Sequence, residues 1–180
     1  MMIIGLVGLH GCGKSHISRI LEDEFGWINV NKRQFLERMF SKSFSSPQIQ
    51  ESIDWYRYMY KSYGVVKIME LVLEGIPKEG RVILDAIHNP REWLVVKNMY
   101  PKSMLVGVFA PQKIRSRRNS SQDVVLDIKR IKYWHECDED SIGCLMSEVE
   151  WVFTGVNSLE LQRRECREFM DYLKKYEHLD

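Results

Sequence analysis

Short apolar runs alternate along the chain with longer segments in which apolar residues recur every three or four positions. Short runs of this kind are typical of buried parallel strands, and the three-and-four spacing is typical of amphipathic helices. Because the two patterns take turns, they predict an α/β fold with helices on both faces of a parallel sheet. The five predicted strands lie in the segments MIIGLV, WINV, GRVILDA, SMLVGVFA and EWVFTG.

Composition narrows the class of protein without naming a function. The 180 residues are 44% hydrophobic and 28% charged, which suits one globular domain. The formal charge of +1 gives no global attraction for nucleic acid or anionic membranes. No apolar run approaches the roughly 20 residues of a membrane span, and the N-terminal run reads as a strand rather than a signal peptide. Four cysteines without framework spacing favour a reducing, cytoplasmic setting.

The segment from Gly8 to Ser15 reads GLHGCGKS and fits the pattern G-x-x-x-x-G-K-[ST]. Glycines let successive backbone N–H groups turn inward around an anion, and a helix that starts here points its positive end at the phosphates. The lysine reaches the β- and γ-phosphates, and the serine hydroxyl can ligate Mg²⁺. A strand before the segment and a helix after it support binding of ATP and Mg²⁺. The predicted nucleotide-binding residues are Gly8, Gly11, Cys12, Gly13, Lys14, Ser15 and His16.

Asp85 and a cluster of arginines supply further candidate chemistry. Asp85 ends a predicted strand after three apolar residues, and ligand sites in open parallel sheets lie beyond such ends. We interpret it as a metal ligand with Ser15, against the alternative of a turn residue. Arg115 and Arg118 lie in a basic segment that either grips phosphate oxygens or forms a solvated helix face. The predicted catalytic residues are therefore Lys14, Asp85, Arg115 and Arg118.

Four segments beyond the loop carry a likeness to a known family: FGWINVNKRQFLERMF, GRVILDAIHNPREW, IRSRRNSSQDVVLDIKRI and EVEWVFTGVNSLELQ. Together they resemble nucleoside monophosphate kinase-like P-loop kinases, and most closely dephospho-coenzyme A kinases and their archaeal relatives. The resemblance implies a three-layer P-loop sandwich with a five-stranded sheet and Mg²⁺-dependent phosphoryl transfer from ATP. It also implies that Arg118 is the lid arginine, and that Asn157 and Ser158 border the base.

One departure from that family concerns the acceptor. Where the family has two aspartates, this chain has Asn29 and Asn31. An amide hydrogen-bonds a hydroxyl but takes no proton from it. Either Asp85 activates the acceptor, or the acceptor is an anionic phosphate that needs no base, or activity has been lost. The predicted acceptor-binding residues are Asn31, Arg33, Trp55 and Arg91.

We therefore interpret residues 1–180 as a single P-loop kinase domain with a helical acceptor-binding insert at about 31–74 and a short lid at about 112–146. The expected reaction moves the γ-phosphate to a nucleotide-like acceptor, a nucleoside monophosphate or dephospho-coenzyme A. The segment DWYRYMYKSYG leaves open a polynucleotide or modified-base kinase, because its rings could either stack on bases or pack on the core. A non-catalytic ATP-binding regulatory module is the third hypothesis.

Overall fold

Five strands and eight helices make up the described part of the chain, residues 1–43, 52–118 and 142–177 of a computed structural model. The strands are β1 (Met2–Val7), β2 (Ile28–Asn31), β3 (Arg81–Asp85), β4 (Ser103–Phe109) and β5 (Trp151–Thr154). The helices are α1 (Lys14–Phe25), α2 (Lys32–Ser43), α3 (Ser52–Tyr63), α4 (Val65–Glu74), α5 (Pro90–Met99), α6 (Gln112–Arg118), α7 (Ile142–Ser147) and α8 (Leu159–Glu177).

The strands form one parallel sheet in the order β2-β3-β1-β4-β5. After β1 the chain crosses to β2, at one edge of the sheet. After β3 it crosses in the opposite direction, to β4 on the far side of β1. Neighbouring strands whose connections diverge in this way open a crevice beyond their carboxyl ends. Because β1 pairs directly with β3, with Leu6 opposite Asp85, the crevice lies beyond these two strands. The topology therefore places the glycine-rich loop and Asp85 at one ligand-binding edge.

Alternate residues of β1 enter two separate apolar layers, as the two-residue repeat of a strand requires. Leu6 is buried on the side of α1 and α8, whereas Val7 is buried on the side of α2 to α5. Gly5 faces the second layer, and a Cβ there would lie 2.9 Å from Cζ3 of Trp93. Gly5 thus lets α5 pack close to the sheet, which fixes the start of α5 near the crevice.

The structure confirms the predicted fold class and the five strands. Gly64 has φ 77° and separates α3 from α4. Helix α7 was not predicted; its Leu145 is fully buried in the layer that contains α5, so the end of the predicted lid range belongs to the core. Residues 44–51 and 119–141 lie outside the described residues, and the division into insert and lid stays a prediction.

Candidate active site

The loop between β1 and α1 has a backbone that favours glycine. Gly8, Gly11 and Gly13 have φ values of 151°, 73° and 107°, which side chains other than glycine rarely adopt. A Cβ at Gly8 would also overlap the carbonyl oxygen of Val108. Helix α1 begins directly after this loop, and no described side chain caps it with a hydrogen bond. Its first N–H groups and its positive end face the loop, the arrangement that binds phosphate.

Lys14 folds back over this loop. Its Nζ donates to the carbonyl oxygens of Gly8 at 2.7 Å and Leu9 at 3.2 Å. These carbonyls are neutral acceptors, and a phosphate oxygen forms a stronger charge-assisted hydrogen bond with the same ammonium. The lysine is therefore held where an incoming phosphate tail would compete for it.

Cys12 and His16 complete the predicted nucleotide-binding set. Cys12 is buried, and its N–H donates to the Leu9 carbonyl at 3.3 Å, so this donor is already used inside the loop. His16 is exposed in the first turn of α1, and its N–H donates to Gly13 at 3.0 Å. The predicted contacts of these two residues with the nucleotide stay predictions.

Ser15 and Asp85, the two predicted metal ligands, lie together at the carboxyl ends of β1 and β3. The Ser15 side chain hydrogen-bonds the Asp85 carboxyl group, which is buried in the crevice. Burial raises the pKa of Asp85 above its ordinary value. Lys14, the Ser15 hydrogen bond and Lys32 each act in the opposite direction. A hydroxyl and a carboxylate beside a phosphate-binding loop are the hard oxygen donors that Mg²⁺ prefers.

Arg115 and Arg118 both reach the glycine-rich loop, but they do so in different ways. Arg115 is buried, and it donates to the carbonyls of Ala110 and His10, both at 3.2 Å. Such a guanidinium holds the backbone of the loop in place, so the geometry favours a structural role over the predicted catalytic one. Arg118 is exposed and donates to Gly11 at 3.2 Å. This exposed guanidinium is the better candidate for a phosphate contact.

Arg118 also connects the loop to the segment after β5. Its Nη2 donates to the Gly155 carbonyl at 2.6 Å, and a Cβ at Gly155 would overlap the Cys12 carbonyl oxygen. The predicted base-binding residue Asn157 follows two positions later. Its Nδ2 donates to Thr154 at 2.5 Å and to Glu165 at 2.8 Å. The amide is thus fixed beside the phosphate loop.

On the acceptor side, Asn31 has a local structural role. Its Oδ1 accepts a hydrogen bond from the Gln34 N–H at 3.0 Å, which caps the start of α2. Arg91 is exposed in the first turn of α5, where its N–H donates to Asn89 Oδ1 at 2.7 Å. The side chains of Arg33 and Trp55 lie outside the described residues. The crevice therefore brings together Asn31 and Asp85, which are opposite each other in the register.

Sequence reasoning missed a buried charged cluster beside this crevice. Lys32 Nζ lies 2.5 Å from Glu92 Oε1, and the two side chains are 4% and 1% exposed. The Tyr60 hydroxyl donates to the same carboxylate oxygen. One signal was present in the sequence: Glu92 lies three and four positions before Val95 and Val96, on the stripe of α5 that faces the core.

The chain has distant relatives among known proteins. No protein-family model matches the chain. It is 22% identical over 173 residues to a UPF0200 protein of Thermoplasma acidophilum, covering 93% of this chain and 94% of that relative. It is 24% identical over 151 residues to a UPF0200 protein of Methanothermobacter thermautotrophicus, covering 83% and 76%.

Several solved structures with a similar fold are kinases. A shikimate kinase from Acinetobacter baumannii, in complex with shikimate, matches with a TM-score of 0.61, 13% identity and coverage of 97% of this chain and 93% of that one. The APS kinase of Mycobacterium tuberculosis, in complex with AMPPNP and APS, matches with a TM-score of 0.55, 13% identity and coverage of 96% and 97%. The chain thus has the fold of P-loop kinases. The closer likeness to dephospho-coenzyme A kinases rests on none of these matches and stays a prediction.

The part of the chain that the structure describes contains no helix long and apolar enough to cross a membrane.

Proposed function

We propose that the chain is a P-loop kinase that transfers the γ-phosphate of ATP to a nucleotide-like acceptor. ATP would bind in the loop from Gly8 to Gly13, with the base beside Asn157. The acceptor would bind beyond the ends of β2 and β3, on the side of α2 and α3. The kinase folds of the structural neighbours support this proposal at the level of architecture.

The observation that carries the proposal is the convergence of three groups at one crevice. The uncapped start of α1, the Lys14 ammonium and the Ser15–Asp85 pair lie on adjoining parts of the sheet edge. A loop that only bound an anion would need the helix end and the lysine. The buried carboxylate beside them is costly to keep charged in a low-dielectric site. A carboxylate at this position favours phosphoryl transfer over anion binding alone.

The residues that would hold Mg²⁺ are Ser15 and Asp85, and the ion would supply positive charge that stabilises the negative charge of the phosphate groups. The protein's own contribution is positioning and charge. Lys14 would stabilise the negative charge that develops on the transferred phosphoryl group, and Arg118 would bind its equatorial oxygens.

In the transfer step, an acceptor oxygen forms a bond to the γ-phosphorus while the bond from that phosphorus to the β,γ-bridging oxygen breaks, and ADP leaves with the electron pair. A hydroxyl acceptor gives its proton to the Asp85 carboxylate. A phosphate acceptor is ionised at neutral pH and needs no such base.

A kinase acting on single-stranded nucleic acid is the second candidate. It is favoured by two tyrosines of α3, Tyr58 and Tyr63, which are 55% and 36% exposed on the acceptor side. Exposed rings can stack on bases irrespective of sequence. Tyr60 of the same segment supports packing instead, because its hydroxyl donates to the buried Glu92.

The test is ADP release and transfer of labelled γ-phosphate with a panel of acceptors. The panel contains each ribonucleoside and deoxyribonucleoside monophosphate, dephospho-coenzyme A and a single-stranded oligonucleotide. Lys14→Ala is expected to lower transfer by about 10³-fold or more, because the charge on the transferred group loses its cation. Lys67→Ala, which removes an exposed lysine of α4, is the matched control and should keep full activity.

Each outcome separates the hypotheses. Transfer to a mononucleotide or dephospho-coenzyme A supports the proposal, and a preference for the oligonucleotide supports the second candidate. Tight Mg·ATP binding without ADP release across the panel would instead indicate a non-catalytic module. Undiminished turnover by Lys14→Ala would contradict the assignment of the loop.

A further inference from the structure

A buried polar cluster joins three helices next to the crevice. Lys32 begins α2, Tyr60 lies in α3 and Glu92 lies in the first turn of α5. Glu92 Oε1 accepts from Lys32 Nζ at 2.5 Å and from the Tyr60 hydroxyl, and Lys32 lies 3.4 Å from the same hydroxyl. The cluster is therefore a direct link between α2, α3 and α5.

The cluster also adjoins the proposed catalytic carboxylate. Lys32 follows Asn31, which lies opposite Asp85 in the sheet register. The second oxygen of Glu92 accepts the backbone N–H of His88 at 2.8 Å, in the loop that follows β3. One carboxylate thus holds both the acceptor-side helix and the loop that leaves Asp85.

Burial of this charge pair is poorly explained by stability. Taken as whole residues, Lys32 and Glu92 are 3% and 0% exposed, so both charged groups lose their hydration in the folded chain. Apolar residues of similar volume at such positions are often as stabilising as an ion pair. Hydrogen bonds fix direction as well as distance, which apolar contacts do not. The arrangement is therefore suited to holding elements in one relative orientation.

We propose that Lys32, Glu92 and Tyr60 form a positioning network that holds α3 against the sheet edge carrying Asp85, and so sets the geometry of acceptor binding. The inference rests on the proposed function for its effect on the acceptor, although the link to α3 stands without it. α3 carries the exposed rings of Tyr58 and Tyr63, so its position decides where an acceptor meets the crevice. The hydrogen bonds given above join Lys32, Tyr60 and Glu92 to one another and Glu92 to the His88 N–H, away from the glycine-rich loop, so Mg·ATP binding is expected to depend little on the network.

The sharpest variant is Tyr60→Phe, which keeps the ring in its packing and removes only the hydroxyl that links α3 to Glu92. Tyr100→Phe is the matched control, because Tyr100 is a half-buried tyrosine that packs against the same apolar layer. Tyr60→Phe is expected to raise the KM for the acceptor about tenfold. The Kd of Mg·ATP should change less than about twofold, and Tyr100→Phe should change neither.

A second variant tests the charge pair without leaving a buried charge unpaired. Lys32→Met with Glu92→Gln removes both charges and retains an oxygen for the His88 N–H. This double variant is expected to fold with a Tm near that of the wild type and to raise the acceptor KM by at least about tenfold. Lys32→Met alone should lower the Tm more than the double variant, because it leaves Glu92 charged and buried.

Hydrogen exchange gives a readout that needs no acceptor. In Tyr60→Phe and in the double variant, amides of residues 52–63 should exchange about tenfold faster, while those of α4, residues 65–74, keep their protection. If the wild-type chain transfers phosphate to no acceptor, the proposed function fails and this measurement alone decides the link to α3. Unchanged exchange in α3 would overturn the inference. So would faster exchange together with unaltered acceptor KM, which would show that the network only supports the fold.

Discussion

The phosphate side and the acceptor side of the crevice are built in different ways. The phosphate side consists mainly of backbone N–H groups and of two side chains, Lys14 and Ser15, within eight consecutive positions, residues 8–15. The acceptor side depends on side chains far apart in sequence: Lys32 and Glu92 are 60 residues apart, and Tyr60 and Glu92 are 32 apart. The first is a local property of the chain, whereas the second exists only after the helices have packed.

This difference predicts that the two sides respond differently to substitution. A helix end and a glycine-rich loop bind almost any polyphosphate, so the phosphate side indicates phosphate binding without specifying the substrate. A buried network that orients a helix depends on a few specific side chains, and under our proposal it sets where the acceptor binds. The phosphate side should therefore govern whether transfer occurs, and the acceptor side should govern which molecule receives the phosphate.

Of the variants discussed below, the largest effect on phosphate transfer is expected from a substitution of Asp85, which borders both sides of the crevice. Asp85→Asn removes the proposed base and metal ligand while it keeps the size of the side chain. The kcat for phosphate transfer should fall about 10²- to 10⁴-fold. ATP binding measured without Mg²⁺ should be unchanged, because the loop and Lys14 remain. Glu79→Gln, an exposed acid-to-amide change before β3, is the control. Full activity in Asp85→Asn would remove the carboxylate from the mechanism.

The same substitution should stabilise the folded chain. Burial raises the pKa of Asp85, so between the unfolded and folded pKa values the folded chain binds more protons than the unfolded chain. Stability then falls as pH rises through that window, and the penalty is complete above it. Asp85→Asn is expected to have a higher Tm than the wild type near pH 7, and the difference should shrink below the unfolded pKa of about 4. A lower Tm near pH 7 would contradict the assigned effect of burial.

Much of the phosphate side was predictable from sequence, because the glycines, Lys14 and Ser15 stand in one contiguous pattern. The end of a short apolar strand also predicted Asp85 at the crevice. The roles of Arg115 and Asn31 were not predictable. Their residue types suit ligand binding, but in the folded chain Arg115 donates to the carbonyls of His10 and Ala110, and Asn31 caps α2. The partner of Glu92 was equally out of reach, since no local pattern pairs it with Lys32.

Substitutions of the two arginines that reach the loop are expected to have smaller effects, one mainly on stability and the other mainly on phosphate transfer. Arg115→Ala removes buried hydrogen bonds from a charged donor and is expected to cost about 2–4 kcal/mol of unfolding free energy. Arg118 is exposed, so Arg118→Ala should cost less than about 1 kcal/mol. Its kcat should nevertheless fall about 10²- to 10³-fold, because a guanidinium that stabilises the transferred group is lost.

Urea unfolding and single-turnover transfer measure both quantities for each variant, and each arginine serves as the other's control. Arg115→Ala should retain a near-normal kcat at a temperature where it is folded. If instead Arg115→Ala lost transfer without losing stability, the structural role assigned to Arg115 would be wrong. The contrast matters because both residues lie in the same helix, α6, three positions apart.

The smallest effect on stability and on kcat is expected from placing an acid at position 31. Asn31 caps α2 through its Oδ1, and aspartate caps a helix about as well as asparagine, so Asn31→Asp should change stability by less than about 0.5 kcal/mol. Asn31→Ala, which removes the cap, should cost about 1 kcal/mol. Because Asp85 is the proposed base, kcat with a hydroxyl acceptor should change less than about threefold in Asn31→Asp. A rise of tenfold or more would show that the acceptor is activated from position 31, and that the acceptor side of this chain lacks its base.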